Sequence, residues 1–130
     1  MKSLVIDLDN TLTINNKDLS YDEIEPNMDI VKQIDKYHKK GFQIIIFSSR
    51  NMNTYNNSIG KINANTLPLI ISWLNKHKIH YDEIYIGKPW CGDDGFYVDD
   101  RAIRPDEFIK LNYKQILELI NSTSLNNDKK

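Results

Sequence analysis

Groups able to do chemistry stand where short apolar runs end in this chain. SLVI (Ser3–Ile6) is followed by Asp7, Asp9 and Thr11, and FQIIIF (residues 42–47) by Ser48, Ser49 and Arg50. EIYI (Glu83–Ile86) leads to Lys88, and FYV (residues 96–98) runs into Asp99 and Asp100, with Arg101 next. Carboxylates brought together repel and shift one another's pKa unless a cation neutralises them. Mg²⁺ is the economical neutraliser, a hard ion usually held by one or two carboxylates plus waters and phosphate oxygens. The chemistry this set can do is phosphoryl transfer. A carboxylate nucleophile can form an aspartyl-phosphate and so split hydrolysis into two easier steps. Metal and lysine offset the negative charge of nucleophile and phosphoryl oxygens. A second carboxylate can protonate the leaving alcohol and later activate water.

For these groups to meet, the apolar runs must be strands of one parallel sheet, whose carboxyl ends are where ligands bind in such folds. The segments between them supply helices. Met28, Ile30, Val31, Ile34 and Tyr37 recur at roughly helical spacing behind Pro26, and Lys39, Lys40 and Gly41 provide a stop. A second helix runs from about Thr66 to His77, with Pro68 in its first turn and Leu67, Ile70, Ile71 and Leu74 facing inward. A last helix covers roughly residues 113–120. Residues 11–25 are polar and turn-prone, a loop or small flap, and residues 51–65 form an Asn-rich loop. Strands alternating with helices predict an α/β fold: a three-layer, Rossmann-like parallel sheet with helices on both faces. Residues 1–120 are expected to be one domain and 121–130 a polar tail.

Composition sets the limits around that site. A chain of 130 residues suits a single core, and 40% hydrophobic with 27% charged residues is ordinary for a soluble globular protein. Lys+Arg of 17 against Asp+Glu of 18 leaves a formal net charge of -1, which argues against a basic surface for nucleic acid or anionic membrane. No apolar run approaches the roughly 18 residues of a membrane span. The opening MKSLVIDLDN is not a signal peptide, and one cysteine excludes an internal disulfide, so a reducing cytoplasm is the expected compartment. Only three arginines occur, Arg50, Arg101 and Arg104, which makes their positions more telling than those of the many lysines.

VIDLDNT, IIIFSSR, GKP and FYVDD, in that order, resemble the four motifs of the haloacid dehalogenase (HAD) superfamily of aspartyl-phosphate phosphatases. Residues 5–100 carry the resemblance. The closer detail, SSRNM and GKPWCGDDGFYVDDRAIRPDEF, resembles small HAD enzymes of capsule and surface-polysaccharide biosynthesis. The resemblance implies Asp7 as nucleophile and Asp9 as general acid/base, with Thr11 orienting Asp9. It implies that Ser48 hydrogen-bonds the phosphoryl group, with adjacent Ser49 as the alternative, and that Lys88 bridges nucleophile and phosphate. Mg²⁺ would be held by Asp7, by the backbone carbonyl of Asp9 and by Asp100, with Asp99 in support. Residues 12–41 and 51–87 leave no room for an inserted cap domain, so the implied enzyme is capless, with an open site that a neighbouring copy in a homo-oligomer could close. The expected partner is a small phosphorylated metabolite, a sugar phosphate or an amino-alcohol or polyol phosphate, with no nucleic acid and no membrane. Arg50, Trp90 and the flap at residues 12–25 would then read the substrate from the rim.

Other readings of the same residues are weaker. An EF-hand over residues 7–18 fails because Leu12 stands where glycine is needed. A cysteine phosphatase needs Cys-x5-Arg, and the residue six after Cys91 is Tyr97. Asp93 and Asp94 read as loop acids, Trp73 as a packed helix residue, and His38, His77 and His80 as surface residues rather than metal ligands. Arg101 and Arg104 are expected to brace their loop through salt bridges. A signalling receiver module places its acid pair first and its phosphorylated Asp in mid-chain, an order this chain reverses. A polynucleotide 3′-phosphatase would share the motifs, but no Lys/Arg-dense stripe lies beside them.

Overall fold

The computed structural model describes residues 2–122. The chain divides into two compact units, Met1–Trp90 and Cys91–Lys130. The first holds β1 (Ser3–Ile6), α1 (Met28–Lys39), β2 (Gln43–Ser48), α2 (Ile59–Asn65), α3 (Leu67–Lys76) and β3 (Glu83–Ile86). The three strands make a parallel sheet in the order β1-β2-β3, flanked by helices, a Rossmann-like α/β arrangement. Register aligns Ile6 with Ile46 and Ser48 with Ile86, so Asp7, Ser48 and Lys88 all leave the sheet at one end.

The apolar periodicity of each element explains its placement. α1 buries Ile30, Val31, Ile34 and Tyr37 along one face, while Met28 lies more than half exposed. α3 buries Ile70, Trp73 and Leu74, and β2 contributes fully buried Ile44 and Ile46. Each such aliphatic side chain contributes about 1.5–3 kcal/mol when removed from water. α1 ends where Gly41, at φ +92, adopts a left-handed conformation and donates its N–H to the His38 carbonyl. Pro26 lies before the helix, bridged to Thr13, rather than in its first turn.

Several elements differ from the sequence expectation. β1, whose β-branched run reads as a buried strand, is an edge strand with alternating exposure, Val5 being 56% exposed. The Asn-rich stretch contains α2, started by Ser58, whose hydroxyl accepts the Lys61 N–H. Residues 96–98 form no strand among the described residues; Phe96 and Val98 are 80% and 89% exposed. The second unit instead contains α4 (Pro105–Lys110), absent from the expectation, and α5 (Tyr113–Ser122). The tail expected from 121 therefore begins inside α5, and from 123 it lies outside the described residues.

Candidate active site

The chain leaves β1 at Asp7 and wraps around one carbonyl. Leu8 O accepts the N–H groups of Thr11, Leu12 and Thr13, and Asn10 sits at φ 60 to make the reversal. Leu8 and Leu12 are fully buried, which anchors the turn in the core and leaves Asp7, Asp9 and Thr11 on its polar side. Thr11 Oγ1 donates to Asp7 Oδ2 at 3.2 Å, so in this structure the threonine positions Asp7 rather than Asp9. Lys88 Nζ stands 3.7 Å from Asp7 Oδ1. Burial pushes the Asp7 carboxyl above its ordinary range, outweighing the opposing pull of Lys88, the Leu8 backbone N–H and Thr11.

Asp9 has a different partner. Arg50 grips it with two parallel hydrogen bonds, Nε to Oδ2 at 3.1 Å and an Nη to Oδ1 at 2.7 Å. The fork geometry is the one for which arginine is suited and lysine is not. Arg50 is only 5% exposed, so it stands behind the acid, not on the rim where the sequence reading put it. Tyr21, from residues 12–25, lays its ring 3.9 Å from the guanidinium carbon. The flap carrying Tyr21 is closed at its neck by the Thr13–Pro26 bridge and the Ile14 N–H to Glu25 carbonyl bond. α3 ties it down: Trp73 Nε1 donates to the Ile24 carbonyl at 2.8 Å, and Lys76 Nζ to that of Asp22 at 2.9 Å.

Ser48 closes β2, almost wholly buried, with its Oγ accepting the Arg50 N–H at 3.0 Å. Ser49, half-buried, begins the turn into residues 50–57. The Ser48 carbonyl accepts the Lys88 N–H at 3.1 Å, which fixes the base of the lysine beside β2. Gly87 makes the delivery possible. Its φ of +87 suits glycine, and an added Cβ would meet Ile59 Cδ1 at 2.6 Å. Trp90, two residues beyond Lys88, is 47% exposed.

Within the first unit the structure thus brings together Asp7, Thr11 and Lys88 as one group, and Asp9 with Arg50 and Tyr21 as another. In the second unit, Asp99 lies in a turn with Asp100, its Oδ1 accepting the Arg101 N–H at 2.8 Å. Arg104 donates its N–H to Glu107 Oε1 at the start of α4. Among the described residues neither Arg101 nor Arg104 forms an ion pair, contrary to the bracing role expected of them. The missed features are the Asp9–Arg50 pair and Tyr21 upon it. Their only sequence signal was an arginine just past a buried strand in a chain holding three.

No protein-family model matches the chain, and no curated protein does. Among solved structures, two chains from Pnkp1/Rnl/Hen1 complexes, one described as an RNA repair complex, align with TM-scores of 0.50. They are 23% and 19% identical over 84% and 90% of this chain, which spans only 34% and 31% of theirs. That likeness is one of fold alone. The crystal structure of an MCSG target from Vibrio cholerae is far nearer, with a TM-score of 0.91 and 50% identity. The alignment takes in 95% of this chain and all of that one, so the chain belongs to the same family as that Vibrio cholerae protein.

Proposed function

We propose that this protein is a Mg²⁺-dependent phosphatase that hydrolyses a small phosphate monoester through an aspartyl-phosphate on Asp7. One observation carries the reading: a half-buried carboxylate, raised in pKa, lies between a hydroxyl and an ammonium at the carboxyl end of a parallel strand. Partial burial takes some of the water from Asp7, Thr11 fixes one oxygen, and Lys88 brings positive charge to the other. A phosphoryl group arriving there meets a nucleophile whose charge is only partly compensated. Asp9, oriented by Arg50, would exchange a proton with the leaving oxygen.

The donor set fits Mg²⁺. Asp7 offers a hard carboxylate oxygen and Asp9 its backbone carbonyl, and the raised pKa of Asp7 marks negative charge that a cation would relieve. Asp100, with Asp99, completes the set in the HAD-like reading. Bound there, the ion would supply charge neutralisation at the phosphoryl oxygens. Ser48, or its neighbour Ser49, would hydrogen-bond those oxygens. Trp90 and Tyr21 are the aromatic surfaces available to a substrate beyond the phosphate. On the motif resemblance, that substrate is a sugar phosphate or an amino-alcohol or polyol phosphate of surface-polysaccharide biosynthesis, and the enzyme works in the cytoplasm.

The test is release of inorganic phosphate from p-nitrophenyl phosphate and from a panel of phosphorylated metabolites, in Mg²⁺ and in EDTA. Activity that needs Mg²⁺ supports the reading; full activity in EDTA, with metal verified as nil, overturns it. The fold likeness to chains of Pnkp1/Rnl/Hen1 complexes, one an RNA repair complex, favours one second reading, a polynucleotide 3′-phosphatase. Release of phosphate from a 3′-phosphorylated oligonucleotide in preference to every small ester would establish it instead.

A further inference from the structure

A second cluster of ligating groups lies at the opposite, amino end of the same sheet. His38 is in the last turn of α1, and His80 and Asp82 lie in the segment entering β3. Asp82 is bolted to β2 twice. Its N–H donates to the Ile44 carbonyl at 2.8 Å, and its Oδ2 accepts the Ile44 N–H at 2.8 Å. His80 Nε2 approaches the same Oδ2 to 3.2 Å, and the His80 ring stacks on that of His38 with centroids 3.6 Å apart. One ligand atom from each of the three residues lies within 4.8 Å of the others. Two of the three, His38 and Asp82, line a shallow hollow of about 260 Å³ together with Gly41, Phe42 and Gln43. The histidines expected to be scattered surface residues are, for two of the three, one cluster.

We propose that His38, His80 and Asp82 form a binding site for a divalent first-row transition ion such as Zn²⁺, separate from the Asp7 region. The donor chemistry selects the ion. Two imidazoles and one carboxylate suit Zn²⁺, Ni²⁺ or Cu²⁺, whereas Mg²⁺ and Ca²⁺ prefer oxygen alone. Three protein ligands with the remaining positions open to water is a common zinc arrangement. Zinc bonds of about 2.0–2.2 Å put neighbouring ligand atoms roughly 3.3 Å apart, so the cluster closes by movements of about 1 Å. The His80–Asp82 pair already has that spacing. Stacked imidazoles cannot both aim a lone pair at one ion, so binding must turn the exposed His38 ring off its neighbour. Asp82 needs no such adjustment, since Ile44 holds it in place and, with His80 and His38 nearby, keeps its carboxyl below the ordinary range. The carbonyl end of α1 also favours a cation, opposed by Lys36 and Lys39 in its last turn.

The experiment titrates Zn²⁺ alone into the full chain, stripped of metal and then held in excess Mg²⁺ so that the hard-oxygen region is occupied. Calorimetry should show one equivalent bound, and a hundredfold excess over Kd should raise Tm by roughly 10 °C. His38→Ala and His80→Ala should each weaken binding at least tenfold. Asp82→Asn should do the same while keeping an oxygen for the Ile44 N–H, so a fold defect is not mistaken for a lost ligand. In NMR spectra, ring signals of His38 and His80 should shift, and those of His77 should not. Stoichiometric binding unchanged in the His38→Ala/His80→Ala double variant would overturn the proposal, as would no binding at all or shifts confined to His77.

Discussion

Asp7 and Asp82 are the same side chain at opposite ends of one parallel sheet, and their protonation equilibria move in opposite directions. Asp7 is held by side chains, a threonine hydroxyl and a lysine ammonium, in a place where burial dominates. Asp82, whose side chain is about as exposed as that of Asp7 (37% against 34%), is held by the Ile44 backbone N–H, and there that bond dominates. The difference separates two uses of a carboxylate. At the amino end a backbone N–H fixes the carboxylate, which fastens β3 to β2. At the carboxyl end it is left under-compensated, the condition in which a cation or a phosphoryl group finds something to gain. Asp9 is the intermediate case, a carboxylate satisfied in full by Arg50 but at the reactive end.

Asp7→Asn breaks the comparison most completely. Turnover should fall at least about a thousandfold, because a carboxamide cannot attack phosphorus. Calorimetry in EDTA at pH 7 should nevertheless show a higher Tm than wild type, since a buried carboxylate has been neutralised; a lower Tm would mean that Asp7 is as well satisfied as Asp82. Next comes Arg50→Ala, which strands Asp9 beside a vacated space. Urea unfolding should register a loss of about 2–4 kcal/mol, with Arg50→Lys recovering part of it. Because Arg50 is buried against Asp9, kcat/KM should fall for p-nitrophenyl phosphate and for the natural substrate alike.

Stability against pH sharpens the contrast. Asp7, raised when folded, contributes stability present below its ordinary value of 3.8 and lost as pH rises from there through the raised value. Asp82, lowered when folded, contributes stability present above 3.8 and lost as pH falls through the lowered value. Asp7→Asn should therefore flatten the decline on the neutral side, and Asp82→Asn should remove the loss on the acid side. Denaturation series from pH 2 to 7 would show the two effects exchanged if the assignments are wrong. Smallest of all is a backbone pair. Gly87→Ala should cost about 1–2 kcal/mol, for its φ of +87 and the Ile59 contact. Lys78→Gly, at φ 55 ahead of β3, should change stability by less than about 0.5 kcal/mol, because relief of the left-handed strain offsets the added chain entropy.

Much of the first unit was legible because its signals are local. β-branched runs mark β1, β2 and β3, and the polar residues just past them locate the Asp7 region. What stayed hidden depended on partners far off in the chain. Arg50 and Asp9 are 41 positions apart, and no spacing rule connects them. His38 and His80 come together only through the way β2 and β3 pair. α2 was obscured by Asn56 and Asn57, both left-handed, and by Gly60 in its first turn, all poor helix signals. α4 is six residues long, too short for a period to emerge. Residues 96–98 show the reverse error: Phe-Tyr-Val has the composition of a strand, but composition cannot supply a neighbour to pair with.

The pairing of Asp9 with Arg50 and of Asp7 with Lys88 also governs how a ligand arrives. Two acids and two bases leave these four groups with no formal net charge. A phosphate dianion diffusing toward them is neither drawn in nor turned away at distances beyond a Debye length, about 8 Å at physiological salt. Its encounter rate in the absence of a divalent ion should thus depend only weakly on ionic strength, and selection begins at contact, not during approach.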